Sequence, residues 1–261
     1  MSVVKAITSR DNALLQRLRR LAGDPAGYRK LGDIWIEGEH LCAAYVQRGG
    51  AVPQAVVTET GWQSPALREL AGTAAAVAVV PDALMGGLST LESPAPLGFA
   101  VAWPGAGTLV ADRASVVLDR LQDAGNVGNI LRSAAAFGFD QVIALKGTAA
   151  LWSPKVLRAG MGAHFGLHLV EGVTDDALAA FTLPMLATSS HSARSLAEVE
   201  LPWPCVWVMG HEGQGVAPAL SARCAESLSI PQPGGEESLN VAAAAAVCLY
   251  ESARQRVARR R

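Results

Sequence analysis

Short apolar runs rich in Val, Ile and Leu alternate along this chain with segments in which apolar residues recur three and four positions apart. The short runs are typical of buried strands and the periodic segments of amphipathic helices. Regular alternation of the two predicts an α/β fold with a parallel sheet. The pattern breaks at 104–114, where Pro, Gly and small residues show no periodicity. We therefore predict a linker at 104–114 between domains at 1–103 and 115–261.

The region after the linker contains the stronger alternation. Parallel strands are predicted there at 116–119, 141–145, 167–170, 185–188, 206–209 and 227–230. Helices are predicted at 127–137, 154–162, 175–181, 193–198, 216–222 and 239–256. Gly138 follows the first of these helices and is expected to end it. The last helix has small residues on its apolar face, which suits close packing in the core.

The region before the linker predicts a smaller α/β domain. Its predicted strands are 34–37, 55–58, 76–80 and 98–102, and its predicted helices are 9–22, 39–47 and 64–71. The first helix places leucines on one face and arginines elsewhere, and Ser9 or Asp11 is expected to cap it.

Charge is distributed unevenly along the 261 residues, although the formal net charge is only −1. Residues 1–48 hold eight Lys or Arg and five acids, a net of +3, and residues 251–261 hold five Arg and Glu251, a net of +4. The net charge argues against a generally polyanion-binding surface, whereas the basic ends fit an RNA-binding protein. Charged ends can equally be solvated surface.

Several classes of protein are disfavoured by the sequence. No apolar run is long enough to predict a membrane span, and the N-terminus lacks the apolar core of a signal peptide, so we expect a cytoplasmic protein. Cys42, Cys205, Cys224 and Cys248 form no C-x-x-C pair, which predicts buried thiols rather than a metal site. The absence of G-x-G-x-x-G argues against an ordinary nicotinamide-binding or Rossmann-type site.

Two Gly-rich loops contain the polar residues that could take part in binding or catalysis. GHEGQGV follows the strand at 206–209, and PQPGGEESLN follows the strand at 227–230. Loops at the carboxyl ends of parallel strands are where open α/β sheets bind ligands, and glycines there allow close approach to the backbone. Their polar residues are His211, Glu212, Gln214, Glu236, Glu237, Ser238 and Asn240.

The segments VVLDRLQDAGNVGNILRSAAAFGFDQVIAL (116–145), GHEGQGV and IPQPGGEESLNVAAAAA resemble, in order, the signature motifs of the SpoU/TrmH family. These are RNA ribose methyltransferases of the SPOUT class. The resemblance implies a trefoil-knotted parallel-sheet domain, S-adenosylmethionine as cofactor, RNA as partner, a homodimer and no metal. The opening, ITSRDNALLQRLRRL and YRKLGDIWIEGEHL, resembles the family's small N-terminal α/β RNA-binding domain.

The resemblance also implies roles for individual residues. The catalytic residues it implies are Asn126, Arg132, Glu212, Ser238 and Asn240. The cofactor-binding residues are Thr188, Met209, Gly210, Ile230, Ser238 and Leu239. The RNA-binding residues are Arg17, Arg19, Arg20, Arg29 and Lys30. Ile230 and Leu239 are expected to contact the adenine, and Gly210 is expected to leave room for it.

Each of these residues also has an ordinary structural interpretation. Arg132 could pair with Asp140 on the surface, and Glu212 could cap the helix at 216–222 or pair with Arg223. Ser238 or Asn240 could simply cap the last helix, and the N-terminal cations could be a solvated face. If Arg132 is catalytic, it could act as a base or, more easily, stabilise developing charge, because arginine keeps its proton in nearly all proteins.

The sequence therefore favours an S-adenosylmethionine-dependent RNA 2′-O-ribose methyltransferase acting on 23S ribosomal RNA. Transfer RNA is the alternative substrate, and a non-catalytic RNA-binding relative is the alternative class. A small-molecule methyltransferase is also conceivable, but it would leave the basic ends without a role.

Overall fold

The chain folds into two compact units in a computed structural model that describes residues 2–234 and 239–259. The first unit comprises the residues up to Gly105 together with Trp152–Phe165, and the second comprises Ala106–Leu151 and the residues from Gly166 onward. The predicted boundaries at 104–114 stay a prediction, since a compact unit is not by itself a part of the chain that folds alone.

The first unit is built on a five-stranded sheet, counted within the described residues, of order β1-β4-β3-β5-β2. Its strands are β1 (Val3–Ala6), β2 (Asp33–Glu37), β3 (Gln54–Thr58), β4 (Ala76–Val80) and β5 (Leu97–Ala102). β4 pairs in parallel with β1 and β3, whereas β5 pairs antiparallel with β3 and β2. Strand β1 was missed by the sequence analysis; it is an edge strand with all its residues exposed, so no buried run marks it.

Helices cover this sheet. Within the described residues before the linker they are α1 (Ala13–Gly23), α2 (Gly27–Leu31), α3 (Glu39–Gln47), α4 (Glu59–Gln63), α5 (Pro65–Ala71) and α6 (Asp82–Met85). The leucine face of α1 is buried as expected. Its cap is Asn12, however, whose side chain accepts a hydrogen bond from Leu14 N–H at 2.9 Å. The expectation of Ser9 or Asp11 was wrong: the Ser9 hydroxyl accepts from Asp11 N–H instead, at 3.2 Å.

The second unit contains the predicted parallel sheet, six-stranded within the described residues, in the order β11-β9-β10-β6-β7-β8. Every strand pair in it is parallel. Its strands are β6 (Ser115–Leu118), β7 (Gln141–Leu145), β8 (His168–Val173), β9 (Met185–Thr188), β10 (Val206–Met209) and β11 (Glu226–Leu228). This confirms the α/β fold class.

The helices after the linker differ in length from the predicted ones. They are α7 (Ala124–Phe137), α8 (Pro154–Gly160), α9 (Pro218–Ser221) and α10 (Val241–Ala258), and α8 lies in the first unit. The helices predicted at 175–181 and 193–198 are the short 3₁₀ helices Asp175–Ala180 and Leu196–Glu198. Brief connections between strands commonly take this tighter form.

The central strand β10 is buried on both faces, as continuous apolar runs of parallel sheets require. One face joins a core formed by Val117, Ile143, Leu145, Val170, Leu178, Met185, Val206, Val208 and Leu220. On the other face, fully buried Trp207 donates from its indole nitrogen to the Ser252 hydroxyl of α10 at 2.9 Å. This bond satisfies the indole and fixes α10 against the sheet.

The residues after Gly105 are held to the edge of the second sheet. Gln141, which is fully buried, accepts from Val110 N–H and donates to the Val110 carbonyl, both at 2.9 Å. Glu171 N–H donates to the Ala106 carbonyl at 2.8 Å. Part of the predicted linker therefore belongs structurally to the second unit.

Two expectations about composition can be compared with the fold. All four cysteines are free; Cys42, Cys205 and Cys248 are buried and Cys224 is half-buried. Burial raises the pKa of the Cys205 and Cys248 thiols to about 12 and that of Cys224 to about 11, so they stay protonated at neutral pH. No helix within the described ranges combines the length and apolar character needed to cross a bilayer.

Candidate functional site

A cavity of about 580 Å³ lies in the second unit, where three neighbouring strands end. Thr188 is the last residue of β9, Gly210 follows β10, and Ile230 follows the short strand β11. Parallel strands end at one edge of their sheet, which is why residues far apart in sequence line one crevice. The volume is within the range of about 300–1,000 Å³ typical of small-molecule sites.

The lining combines apolar side chains with polar groups on loops. Ile230 and Leu239 contribute apolar surface, as expected for residues that contact a base, and Glu212 and Asn240 contribute polar groups. Met209 is buried in β10 and is not among the lining residues in the described part of the chain. Ser238, predicted as both catalytic and cofactor-binding, lies outside the described residues.

Gly210 is required by the path of its own loop, a reason that the sequence analysis did not identify. A Cβ at this position would overlap the backbone of Gly215 and Val216. The loop returns across Gly210 because His211 and Gly215 exchange two backbone hydrogen bonds, of 3.0 and 2.8 Å. Gly210 also lines the cavity, so the expectation that it leaves room for an adenine stays a prediction beside this one.

Glu212 extends from this loop and is held by donors at the start of α7. Its carboxylate accepts from the Asn126 side chain and from Asp123 N–H, both at 3.2 Å, and from Gln122 N–H at 3.4 Å. Burial would raise the pKa of Glu212, but these bonds and one from its own backbone together lower it. Glu212 is therefore ionised at neutral pH, and the alternative pairing with Arg223 is not observed, since Arg223 donates to the Asp175 carbonyl.

Asn126 connects Glu212 to the second Gly-rich loop. While its amide nitrogen donates to Glu212, its amide oxygen accepts from the Asn240 side chain at 2.9 Å. The Asn240 oxygen in turn accepts from Ala242 and Ala243 N–H at 2.9 and 3.3 Å, capping α10. Asn240 thus caps α10 and also lines the cavity, while its catalytic role stays a prediction.

The amide orientations in this chain of bonds are determined by the partners. Glu212 can only accept, so Asn126 must present its nitrogen to Glu212 and its oxygen to Asn240. The backbone N–H groups of α10 can only donate, which gives Asn240 the complementary orientation. We call this Glu212–Asn126–Asn240 chain the amide relay; it joins all three motifs at the rim of the cavity.

Arg132 lies on α7, six residues beyond Asn126, which is about 9 Å along the helix axis. It is exposed and is not among the described residues that line the cavity, and its guanidinium makes no hydrogen bond or ion pair with another described residue. The alternative pairing with Asp140 is therefore not observed. Its guanidinium is available to an external anion such as a phosphate.

A second support of the Gly210 loop was missed by the sequence analysis. Buried Asp119 accepts from Ala217 N–H at 2.8 Å and from the Arg120 guanidinium at 2.8 and 3.1 Å, and Arg120 also donates to Gln214 at 3.1 Å. The hydrogen bond to Asp119 raises the pKa of Arg120. Arg120 has a left-handed backbone, φ 61°, which no local sequence signal indicates for arginine.

The cations predicted to bind RNA fall into two groups in the first unit. Arg17 is engaged with Asp33 at 2.6 Å and with the Leu31 carbonyl, and Arg19 donates to the Arg10 carbonyl at 2.7 Å. Arg29 lies over the Tyr28 ring, 5.3 Å from its centroid. Arg20 and Lys30 are exposed, and their side chains make no hydrogen bond or ion pair to any other described residue. They are the cations in this set with no internal partner among those residues.

Comparison with known proteins gives a consistent match. The model of the SpoU rRNA Methylase family matches residues 113–250. A tRNA/rRNA methyltransferase of Synechocystis, described as uncharacterized, is 32% identical over 97% of this chain and 95% of its own length. The 23S rRNA (uridine(2479)-2′-O)-methyltransferase of Streptomyces viridochromogenes is 28% identical over 98% of this chain and 94% of its own.

A solved structure matches over nearly the same extent. The SpoU methyltransferase AviRb from Streptomyces viridochromogenes, in complex with AdoMet, superimposes with a TM-score of 0.84. It is 26% identical and covers 94% of this chain and 98% of its own. The similarity therefore includes the part of the chain that precedes the matched family region.

Proposed function

Because the chain belongs to the SpoU rRNA Methylase family, we propose that it methylates a ribose 2′-hydroxyl of RNA with S-adenosylmethionine as the methyl donor. We propose 23S ribosomal RNA as the substrate, since the Streptomyces relative acts on that molecule and is similar over nearly the full length. The observation that carries the proposal is the amide relay at the rim of a cavity of suitable size. The knot implied by family membership is part of this proposal.

The cavity fits S-adenosylmethionine in size and chemistry. Ile230, Leu239 and the Gly-rich backbone of 210–215 can hold an adenosine, and Thr188 offers a hydroxyl at the same crevice. When bound, the cofactor supplies a methyl group on a positively charged sulfur, already activated for transfer. The chain's own residues therefore have to align the accepting hydroxyl with it.

In this proposal the polar residues divide the work of alignment. The ionised Glu212 fixes the Asn126 amide, and Asn126 fixes Asn240 at the start of α10. A rigid rim of this kind can orient the ribose without rearranging during the reaction. The Arg132 guanidinium, which has no partner among the described residues, would hold the phosphate next to that ribose and stabilise charge as the hydroxyl loses its proton.

RNA binding by the first unit follows from its free cations. Arg20 and Lys30 can neutralise phosphates without breaking an internal contact between described residues. Arg17 and Arg19 would first have to leave Asp33 and the Arg10 carbonyl. We therefore assign the main contacts of this helix region to Arg20 and Lys30, with Arg29 as a stacked neighbour.

A homodimer is also part of the proposal. Ala243, Val247, Tyr250 and Val257 lie on one face of α10, and the last three are 40%, 54% and 54% exposed. An exposed apolar stripe of this kind, on a helix whose opposite face is buried against the sheet, favours an interface with a second copy. Sedimentation of the wild type and of a Val247→Asp, Tyr250→Asp variant tests it; a monomeric wild type contradicts it.

The experiment that tests the function maps 2′-O-methylation in total RNA from a deletion strain and from the same strain carrying the wild-type gene. We expect one 23S site to lose and regain its methyl group. Loss from a tRNA would instead support the alternative substrate. An unchanged map, with no methyl transfer to RNA by the purified protein, would contradict the enzyme and favour a non-catalytic RNA-binding protein.

A further inference from the structure

His211 has an internal role that its place in a ligand loop does not suggest. Its ring nitrogen Nδ1 accepts hydrogen bonds from Gly213 N–H at 3.0 Å and Gln214 N–H at 3.3 Å. The same residue exchanges its backbone N–H and carbonyl with Gly215. The ring therefore fills the place that the oxygen of Asn or Asp takes in an Asx turn, and we call 211–215 the His211 turn.

The geometry restricts the protonation of the ring. An imidazole nitrogen accepts a hydrogen bond only when it carries no proton. Two backbone donors converge on Nδ1, and neither can act as an acceptor. The hydrogen-bond pattern therefore assigns the neutral ring with its proton on Nε2. A side-chain oxygen of Asn or Asp could accept the same two bonds without depending on the protonation of a ring nitrogen.

We propose that His211 is a positioning residue whose neutral Nε2–H form holds the His211 turn closed, and that a second proton on the ring opens this turn. The inference rests on the proposed function for the identity of the ligand, S-adenosylmethionine.

Opening the His211 turn would reach the whole site. Residues 210–216 all line the cavity, and Gly210 tolerates the turn only because it has no side chain. Glu212 is the second residue of the turn, and its carboxylate is the acceptor at one end of the amide relay. A proton on Nδ1 would face the N–H groups of Gly213 and Gln214, so the turn must shift and Glu212 must move with it.

The charged groups around the His211 turn lie in the turn itself, after the neighbouring strands β6 and β9, and at the start of α7. Within the described residues, the titratable groups that share the cavity or hold the loop are His191, Glu212, Asp119, Arg120 and Asp123. Burial would raise the pKa of Glu212, but its hydrogen bonds together lower it, and the hydrogen bond to Asp119 raises the pKa of Arg120. Both therefore keep their charge between about pH 5 and 8, the range in which histidines change theirs.

The first test needs no cofactor. Long-range ¹H–¹⁵N correlation spectra of the ¹⁵N-labelled protein report the tautomer of each of its five histidines, and the His211→Asn variant identifies the His211 signals. At pH 8 we expect an unprotonated Nδ1 and a protonated Nε2. A proton on Nδ1, or an unbiased mixture of tautomers, would overturn the inference whatever the protein's function.

The second test measures S-adenosylmethionine affinity by calorimetry from pH 5.5 to 8. The wild type should bind about tenfold more weakly at the acid end, and His211→Asn should keep the pH 8 affinity and lose that extra decline. His211→Ala should bind about tenfold more weakly throughout, the cost of one or two neutral hydrogen bonds. His40→Asn, the matched control, removes an exposed histidine of the first unit and should follow the wild-type profile.

The outcomes separate the inference from the proposed function. If His211→Asn follows the wild-type pH profile, His211 does not control the loop. If the wild type binds no S-adenosylmethionine at any pH, the proposed function fails, and the tautomer spectrum still decides the role of His211.

Discussion

The side chain of Asn240 donates a 2.9 Å hydrogen bond to the side-chain oxygen of Asn126, which lies 114 positions earlier in the chain. The bond joins the first residues of α7 to the cap of α10. Since Asn126 also donates to Glu212, its amide nitrogen and its amide oxygen each have a partner within the site. Replacing Asn126 therefore disturbs three motifs at once.

Substitutions of Asn126 test the amide relay. Asn126→Ala leaves the Asn240 nitrogen and Glu212 each without one partner, at a cost of about 1–3 kcal/mol. We expect methyl transfer to fall by about 10–100-fold. Asn126→Asp should be worse, because it places a second carboxylate against Glu212. Single-turnover transfer of labelled methyl groups to ribosomal RNA measures both.

Ser133→Ala is the control for the relay, since that hydroxyl donates only to the Asn129 carbonyl within α7 among the described residues. An Asn126→Asp variant as active as the wild type would show that the orientation of the amide does not matter.

Substitutions of Arg132 test whether the protein is an enzyme or a non-catalytic RNA-binding protein. Its guanidinium is not among the described lining of the cavity, so Arg132→Ala should keep S-adenosylmethionine affinity within about twofold. Losing one donor aimed at developing charge should lower transfer by about 10²–10³. Arg132→Lys should restore little, because a point charge does not reproduce the planar fork. Calorimetry and single-turnover rates are measured on the same preparations.

The matched control is Arg223→Ala, an arginine of the same unit that donates to a carbonyl away from the relay. Near-normal transfer by Arg132→Ala would remove Arg132 from the mechanism.

Gly210→Ala tests whether the glycine serves the loop or the ligand. The new methyl group would overlap the backbone of Gly215 and Val216, so the loop must move. We expect thermal unfolding several degrees below the wild type, as about 1–3 kcal/mol of overpacking implies, together with weaker cofactor binding. Gly213→Ala is the comparison, because its new methyl group would meet the His211 ring only at 3.9 Å.

An unchanged melting temperature with lost cofactor binding would contradict the loop explanation. It would leave space for the adenine as the reason for glycine at position 210.

The free cations of the first unit can be tested by salt dependence. Arg20→Ala with Lys30→Ala should weaken RNA binding and reduce the slope of log affinity against log salt by about 0.7–0.9 per lost contact. Cofactor affinity should not change, since both residues lie in the other unit. Arg48→Ala with Arg68→Ala removes the same charge from the same unit. If both double variants lose the same slope, the effect is general electrostatics rather than a defined contact.

Local pattern predicted much of the second sheet. The strands at 141–145, 185–188 and 206–209 have the predicted bounds, because buried parallel strands are continuous apolar runs that need no distant information. Edge strand β1 and the 3₁₀ helices were missed or misjudged, since an exposed edge has no such run and a short helical segment does not reveal its hydrogen-bond pattern.

The sequence by itself determined the α/β class, the motif order and the positions of Asn126, Arg132, Glu212 and Asn240. Only the tertiary structure decided that Asn126 bonds to both Glu212 and Asn240. It also decided that Arg17 forms an ion pair with Asp33, and that the backbone of its own loop passes too close to Gly210 for a side chain. A residue type limits which hydrogen bonds a side chain can make. Which partner it meets depends on where the strands end relative to one another, and strand order in the sheet is set by packing between residues distant in sequence.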